Sequence, residues 1–157
     1  MALDAMPVSA DCNCLAVRAA ARHVTQHYDQ YLAPVGLRTS QFSILAKLKR
    51  AGPLTINALA EEMVMDRTTL GRNILPLQRD GLIRVRRASA DRRAKELQLT
   101  EEGVRRYRAG VNGWLAAQTK FETAFGPERA ANLRAMLRAI VTTEFAAADD
   151  DARDARA

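Results

Sequence analysis

Leu54 to Ile83 reads LTINALAEEMVMDRTTLGRNILPLQRDGLI. Thr55 can cap a short helix, a turn near Val64 to Asp66 follows, and a second helix runs to about Asp80, where Gly81 stops it. Two short helices across a tight turn make a helix-turn-helix. In the second, Leu70, Ile74 and Leu77 recur at i, i+4 and i+7 on one face, with Thr68, Arg72 and Arg79 opposite. One face is core and the other is polar with a basic bias. Pro76 removes a backbone donor from this helix and predicts a bend or a loosened turn.

Immediately downstream, Ile83 and Val85 alternate with Arg84 and Arg86, and Leu97 and Leu99 alternate with Glu96 and Gln98, the period of half-buried strands. The segment is a β-hairpin, and a basic hairpin directly after a helix-turn-helix is a wing. A recognition helix fits the major groove, about 12 Å wide, while a wing tip reaches the backbone or the minor groove. Between Asp66 and Arg108 stand twelve basic and six acidic residues, so half of the chain's 24 Lys and Arg lie in about a quarter of its length. Arg86, Arg87, Arg92 and Arg93 need no burial in their own protein if phosphates supply the countercharge, and Ala88, Ser89 and Ala90 keep the tip thin. The alternative is an ordinary solvated hairpin whose charges blunt a sheet edge. Its position after the helix-turn-helix favours nucleic acid.

Outward from this centre the pattern is helical. Leu15, Ala19, Val24 and Tyr28 mark a first helix from Asp11 to about Leu32, ended by Pro34 and Gly36. Thr39 or Ser40 caps a second, with Phe42, Ile44, Leu45 and Leu48 apolar. Thr100 caps a long helix to about Ala124, carrying Glu101 and Glu102 in its first turn and tolerating Gly103, Gly110 and Gly113. A last helix, from Pro127 or Glu128 to about Ala147, presents Leu133, Met136, Leu137, Ile140, Val141 and Phe145 as a wide apolar stripe that needs a partner. The expected fold class is mostly α with a small β-hairpin wing (α+β). A single domain spans 11–147, with the winged helix-turn-helix at about 39–100 and flanking helices at about 11–32 and 101–147. A flexible arm (1–10) and a disordered acidic tail (148–157) complete the chain.

The bulk numbers narrow the function. A chain of 157 residues, 48% hydrophobic and 27% charged, suits one globular domain. No apolar run approaches the roughly 20 residues of a membrane-spanning helix, and MALDAMPVSA lacks the basic start and apolar centre of a secretory signal, so the cytoplasm is expected. Cys12 and Cys14, two residues apart, cannot staple a fold. A net charge of +6 draws polyanions. An enzyme is disfavoured, since no phosphate-binding glycine loop, metal motif or nucleophile paired with a base stands out; no cofactor is expected. A second rival is a DNA-independent interaction module, which salt-indifferent binding would reveal.

Three stretches, GLRTSQFSILAKL (36–48), LAEEMVMDRTTLGRNILPLQRDGLI (59–83) and DRRAKELQLTEEG (91–103), occur in an order and at a spacing that resemble the multiple antibiotic resistance regulator (MarR) family of winged-helix transcription factors. The resemblance covers roughly Cys12 to Phe145. It implies a homodimer built on the first, fifth and sixth helices, two lobes on successive half-sites of a near-palindromic double-stranded DNA operator, and action as a repressor. The apolar stripe of the last helix independently asks for such a partner. Carried over by position, Arg67, Thr68, Thr69 and Arg72 face the groove with Asn73 near them. Arg72 suits guanine, because a guanidinium meets both O6 and N7. Asp91 and Arg93 match the wing's D-x-R motif, with Arg93 entering the minor groove, Asp91 bracing it, and Arg92 on phosphate or at the tip. Leu75 departs from the pattern, in a slot where relatives often carry a basic residue.

The family also implies a signal: a small aromatic acid or phenolic ligand in a crevice beside the dimer helices, or cysteine oxidation. Arg22, His23, His27, Tyr28, Tyr31 and Trp114 are candidates to line the crevice, and equally candidates for plain packing. Cys12 and Cys14 fall in the first turn of helix one, where the positive helix end favours a thiolate; equally, they are small hydrophobes. Side chains at i and i+2 of a helix diverge, so a sulfenic acid or a bridge between subunits suits them better than a Cys12–Cys14 loop. His23 and His27 share i, i+4 spacing, but Cys14 lies roughly 13 Å from His23 along a helix, and no metal site is expected.

Overall fold

The computed structural model describes residues 12–88 and 95–145. The expected arm, tail and wing tip (Asp91, Arg92 and Arg93 included) lie outside the described residues. In chain order the elements are α1 (Asn13–Leu32), a 3-10 turn (Ala33–Val35), α2 (Thr39–Ala51), β1 (Leu54–Thr55), α3 (Ile56–Met63), α4 (Arg67–Arg79), β2 (Ile83–Arg87), β3 (Lys95–Leu99), α5 (Glu101–Phe125) and α6 (Pro127–Thr142). The chain divides into two compact units after Lys120.

The first unit holds the helix-turn-helix on one core. Phe42, Ile44, Leu45 and Leu48 of α2, Leu59 of α3, Leu70, Ile74 and Leu77 of α4, and Ile83 and Leu97 of the sheet are all buried together. Each fully buried Leu or Ile contributes about 1.5–3 kcal/mol relative to exposure, so this cluster is what fixes α4 against the lobe. Among the described residues no polar or charged side chain is buried, which leaves the lobe's charges on its surface.

Local chemistry sets the element ends. Thr55 Oγ1 accepts the Ala58 N–H at 3.1 Å and starts α3. Val64 ends it in the left-handed region (φ 50°), a costly conformation for a β-branched residue and the hinge of the tight turn. Gly81, at φ 69°, lets the chain leave α4 for β2. Thr100 accepts the Gly103 N–H at 3.0 Å, as expected of a cap, while its own hydroxyl donates to Gly81 O at 2.6 Å and ties α5 to the end of the recognition helix.

Several details differ from expectation. The hairpin is part of a three-stranded antiparallel sheet ordered β1-β3-β2, with Leu54 opposite Leu97; a two-residue strand carries no periodicity of its own. Val85 is 42% exposed instead of half-buried, because β2 is the edge strand and leaves the core as it runs toward the tip. Neither Thr39 nor Ser40 is the N-cap of α2. Arg38 occupies that position, and the Thr39 N–H and hydroxyl both donate to Asp29 Oδ1 of α1 at 2.6 Å. As expected of the segment, α4 stays helical through Pro76, the missing proline donor falling opposite the Arg72 carbonyl near the solvated face.

In the second unit, Gly126 (φ 95°) precedes Pro127 at the start of α6. Phe121 and Phe125 stack at 5.4 Å, the Arg129 guanidinium sits 4.4 Å over the Phe125 ring, and Arg134 pairs with Glu122 at 2.7 Å. α6 ends at Thr142, earlier than the expected Ala147, with Thr143 extended (ψ 125°) and the Thr143 hydroxyl donating to Ala139 O at 2.8 Å. Met136, Leu137, Ile140 and Val141 are exposed.

Candidate nucleic-acid interface

The recognition helix begins on Asp66. Its Oδ1 accepts the Thr69 N–H at 2.8 Å and its Oδ2 accepts the Thr69 hydroxyl at 2.6 Å. The Thr69 hydroxyl, together with this backbone donor, holds the Asp66 carboxyl below the ordinary aspartate range, so the cap is ionised at neutral pH. From that start, 3.6-residue periodicity turns Leu70, Ile74 and Leu77 inward and Thr68 and Arg72 to the other side, while Arg67 is exposed as the first residue of the helix.

These exposed groups are not equally free. Arg67 and Arg72 have no hydrogen-bond or ion-pair partner among the described residues, whereas Arg79 is held by Asp80 at 2.9 Å. Thr69 spends its hydroxyl proton on Asp66. Asn73, half-buried, donates its amide to Thr69 O at 2.9 Å and so lies back on its own helix. A short acidic clamp, missed in the sequence, steadies the motif: Glu62 of α3 receives Lys47 at 2.8 Å and Arg50 at 3.1 Å from α2, and the Lys47 hydrogen bond lowers its pKa. Nothing in linear spacing marks this pairing, because it joins two helices across a turn.

On the wing, strand alternation separates two residues expected to act together. Arg86 shares a face with Arg84 and meets Glu96 at 3.4 Å, while Arg84 donates to Gln98 at 3.1 Å. Arg87 lies on the opposite face of β2, exposed and without a partner among the described residues.

The residues expected to sense a ligand divide into three groups. Arg22 and His23 are exposed. His27, Tyr28 and Tyr31 cluster, the His27 ring 5.5 Å and 5.2 Å from the two tyrosine rings; His27 Nε2 donates to Ala117 O at 3.0 Å and the Tyr28 hydroxyl to Gln118, fastening α1 to α5. Trp114 stacks on Phe42, 6.5 Å away, and with Phe42 and Tyr107 walls a separate groove of about 530 Å³ edged by Lys47, Lys49 and Arg50. Cys12 is the N-cap of α1 and not a first-turn residue; its Sγ accepts the Leu15 N–H at 3.4 Å. Cys14, in the first turn, is exposed.

A helix-turn-helix backed by a hydrophobic core, followed by a β-wing and carrying free arginines on its second helix, defines a winged helix-turn-helix protein. The MarR family model matches residues 37–95. The chain is 31% identical over 91 residues to the uncharacterized HTH-type transcriptional regulator YwoH of Bacillus subtilis, covering 58% of this chain and 66% of that protein. It is 28% identical over 91 residues to the organic hydroperoxide resistance transcriptional regulator of the same species, covering 58% and 62%. Both matches span less than two thirds of the relative. Among solved structures, the M. tuberculosis transcriptional regulator MosR in complex with DNA is 33% identical, with a TM-score of 0.73 and coverage of 86% of this chain and all of that one (100%). The chain belongs to the MarR family of DNA-binding transcription regulators.

Proposed function

We propose that the chain acts as a homodimeric repressor that binds a near-palindromic double-stranded operator and leaves it when a small aromatic or phenolic acid binds. The observation that carries the DNA reading is α4, where Arg72 on the outer face and Arg67 at the first residue stand exposed without a protein partner among the described residues. A guanidinium free of carboxylates is available for the O6 and N7 of a guanine, a contact that discriminates by about 1–3 kcal/mol. Thr68 and Thr69 flank it, Arg87 serves phosphate, and Asp91, Arg92 and Arg93 belong to the same proposal through the D-x-R motif. The solved DNA complex of MosR supports the geometry by likeness.

Fluorescence anisotropy on the DNA flanking the chain's own gene, against scrambled DNA, tests this. Specific binding that falls steeply with added salt is expected. Arg72→Ala should reduce the preference for the operator about tenfold or more, following the discrimination of a bidentate guanine contact. Equal losses on operator and scrambled DNA would reassign Arg72 to phosphate.

For the signal, the groove walled by Phe42, Tyr107 and Trp114 and edged by cations supports a carboxylated ring. One observation favours a second reading. The Cys12 sulfur, only partly covered, caps α1 by accepting the Leu15 N–H, so an oxidant that reaches it acts on the start of the helix. Peroxide that releases wild type but not Cys12→Ser from the operator would establish it; release by aromatic acids alone would establish the first.

A further inference from the structure

Leu75 is 65% exposed in the middle of the recognition helix. It lies three residues after Arg72 and four before Arg79, so it occupies the face that carries the free guanidinium and not the face of Leu70, Ile74 and Leu77. A leucine in that position gains nothing from the protein's own core.

Its neighbour one turn back is Gly71. A helix-interior glycine is destabilising relative to alanine, and here packing does not require it, because a Cβ built on Gly71 would meet no atom within 4 Å. Gly71 and Leu75 stand at i and i+4 on one face, and because a Cβ on Gly71 would meet no atom of the Leu75 side chain within 4 Å, open space is left between them. The two residues form a smooth apolar step beside Arg72, one wall a branched hydrocarbon and the floor bare backbone. In the major groove only one base edge is apolar, the C5-methyl of thymine.

Resting on the reading of α4 as a recognition helix, we infer that Leu75 and Gly71 together form a thymine-methyl pocket, and that Leu75 specifies a thymine close to the guanine read by Arg72. A basic residue at this position would contact DNA without regard to the methyl. The leucine exchanges that electrostatic contact for a sequence preference.

The test uses the full-length chain and an operator selected from a random duplex library. Each thymine of a half-site is replaced in turn by deoxyuridine, which removes only the methyl group, and Kd is measured at fixed salt for wild type, Leu75→Ala and Gly71→Val. One thymine per half-site is expected at which deoxyuridine weakens wild type about three- to fivefold, the effect of one buried methyl. Leu75→Ala should bind the two duplexes equally, and Gly71→Val, which fills the step, should lose the preference while Arg72 still discriminates its guanine. Circular dichroism checks that both variants are folded. A selected operator whose binding is insensitive to deoxyuridine everywhere, or a deoxyuridine effect that persists in Leu75→Ala, would overturn the assignment and leave the DNA reading intact. A library that yields no preferred sequence would overturn both.

Discussion

Gly103 shows how a single residue is fixed by something distant in the chain. A Cβ placed on it would lie 2.0 Å from the Leu82 carbonyl oxygen, and one on Gly113 would lie 2.4 Å from the Tyr31 carbonyl oxygen. Both obstacles are backbone and cannot swing aside. Gly103→Ala is therefore expected to destabilise the protein by about 1–3 kcal/mol in urea denaturation, against the gain that helix propensity alone predicts. Asp66 supplies a second prediction. Its carboxyl is lowered in the folded state, so its contribution is present above the unfolded pKa and is lost as pH falls through the folded one. Wild type should lose more thermal stability than Asp66→Asn on acidification through and below the ordinary carboxylate range. Parallel pH profiles would mean that the cap contributes no linkage.

Thr55 ends β1 and also caps α3 through the Ala58 N–H. Thr55→Ala is expected to cost about 1 kcal/mol, seen as a lower Tm with the Leu54–Leu97 pairing retained. The cap could be read from the sequence because a threonine before an apolar run is a local signal. Most element boundaries were readable in the same way, since caps, breakers and periodicity act within a few residues. The short strand was not, because Leu54 becomes a strand only when Leu97 is beside it. The start of α2 was misplaced for the same reason, its Thr39 being held by Asp29 of another helix.

Much apolar surface is uncovered in the isolated chain. Leu15 and Val17 of α1 are 44% and 43% exposed, and Met136, Leu137, Ile140 and Val141 of α6 are 40–59% exposed. Covering such residues with a second copy is favourable at about 25 cal/mol per Å² of apolar area removed from water. Ile140→Glu is expected to shift the protein toward monomer in light scattering and to weaken operator binding at least tenfold, because a monomer engages one half-site only. An unchanged dimer with intact binding would place the subunit contact elsewhere.

The order of helices, the helix-turn-helix, the wing strands and the outward place of Arg72 all follow from residue order, because helical and strand periods and N-caps need only neighbours a few positions away. The third strand, the Glu62 clamp, the tight seats of Gly103 and Gly113, the separation of Trp114 from His27, and the freedom of Arg67 and Arg72 as against the engagement of Arg79 and Arg86 were decided only when distant segments met. Each depends on which atoms become neighbours across the fold, and linear spacing carries no record of that.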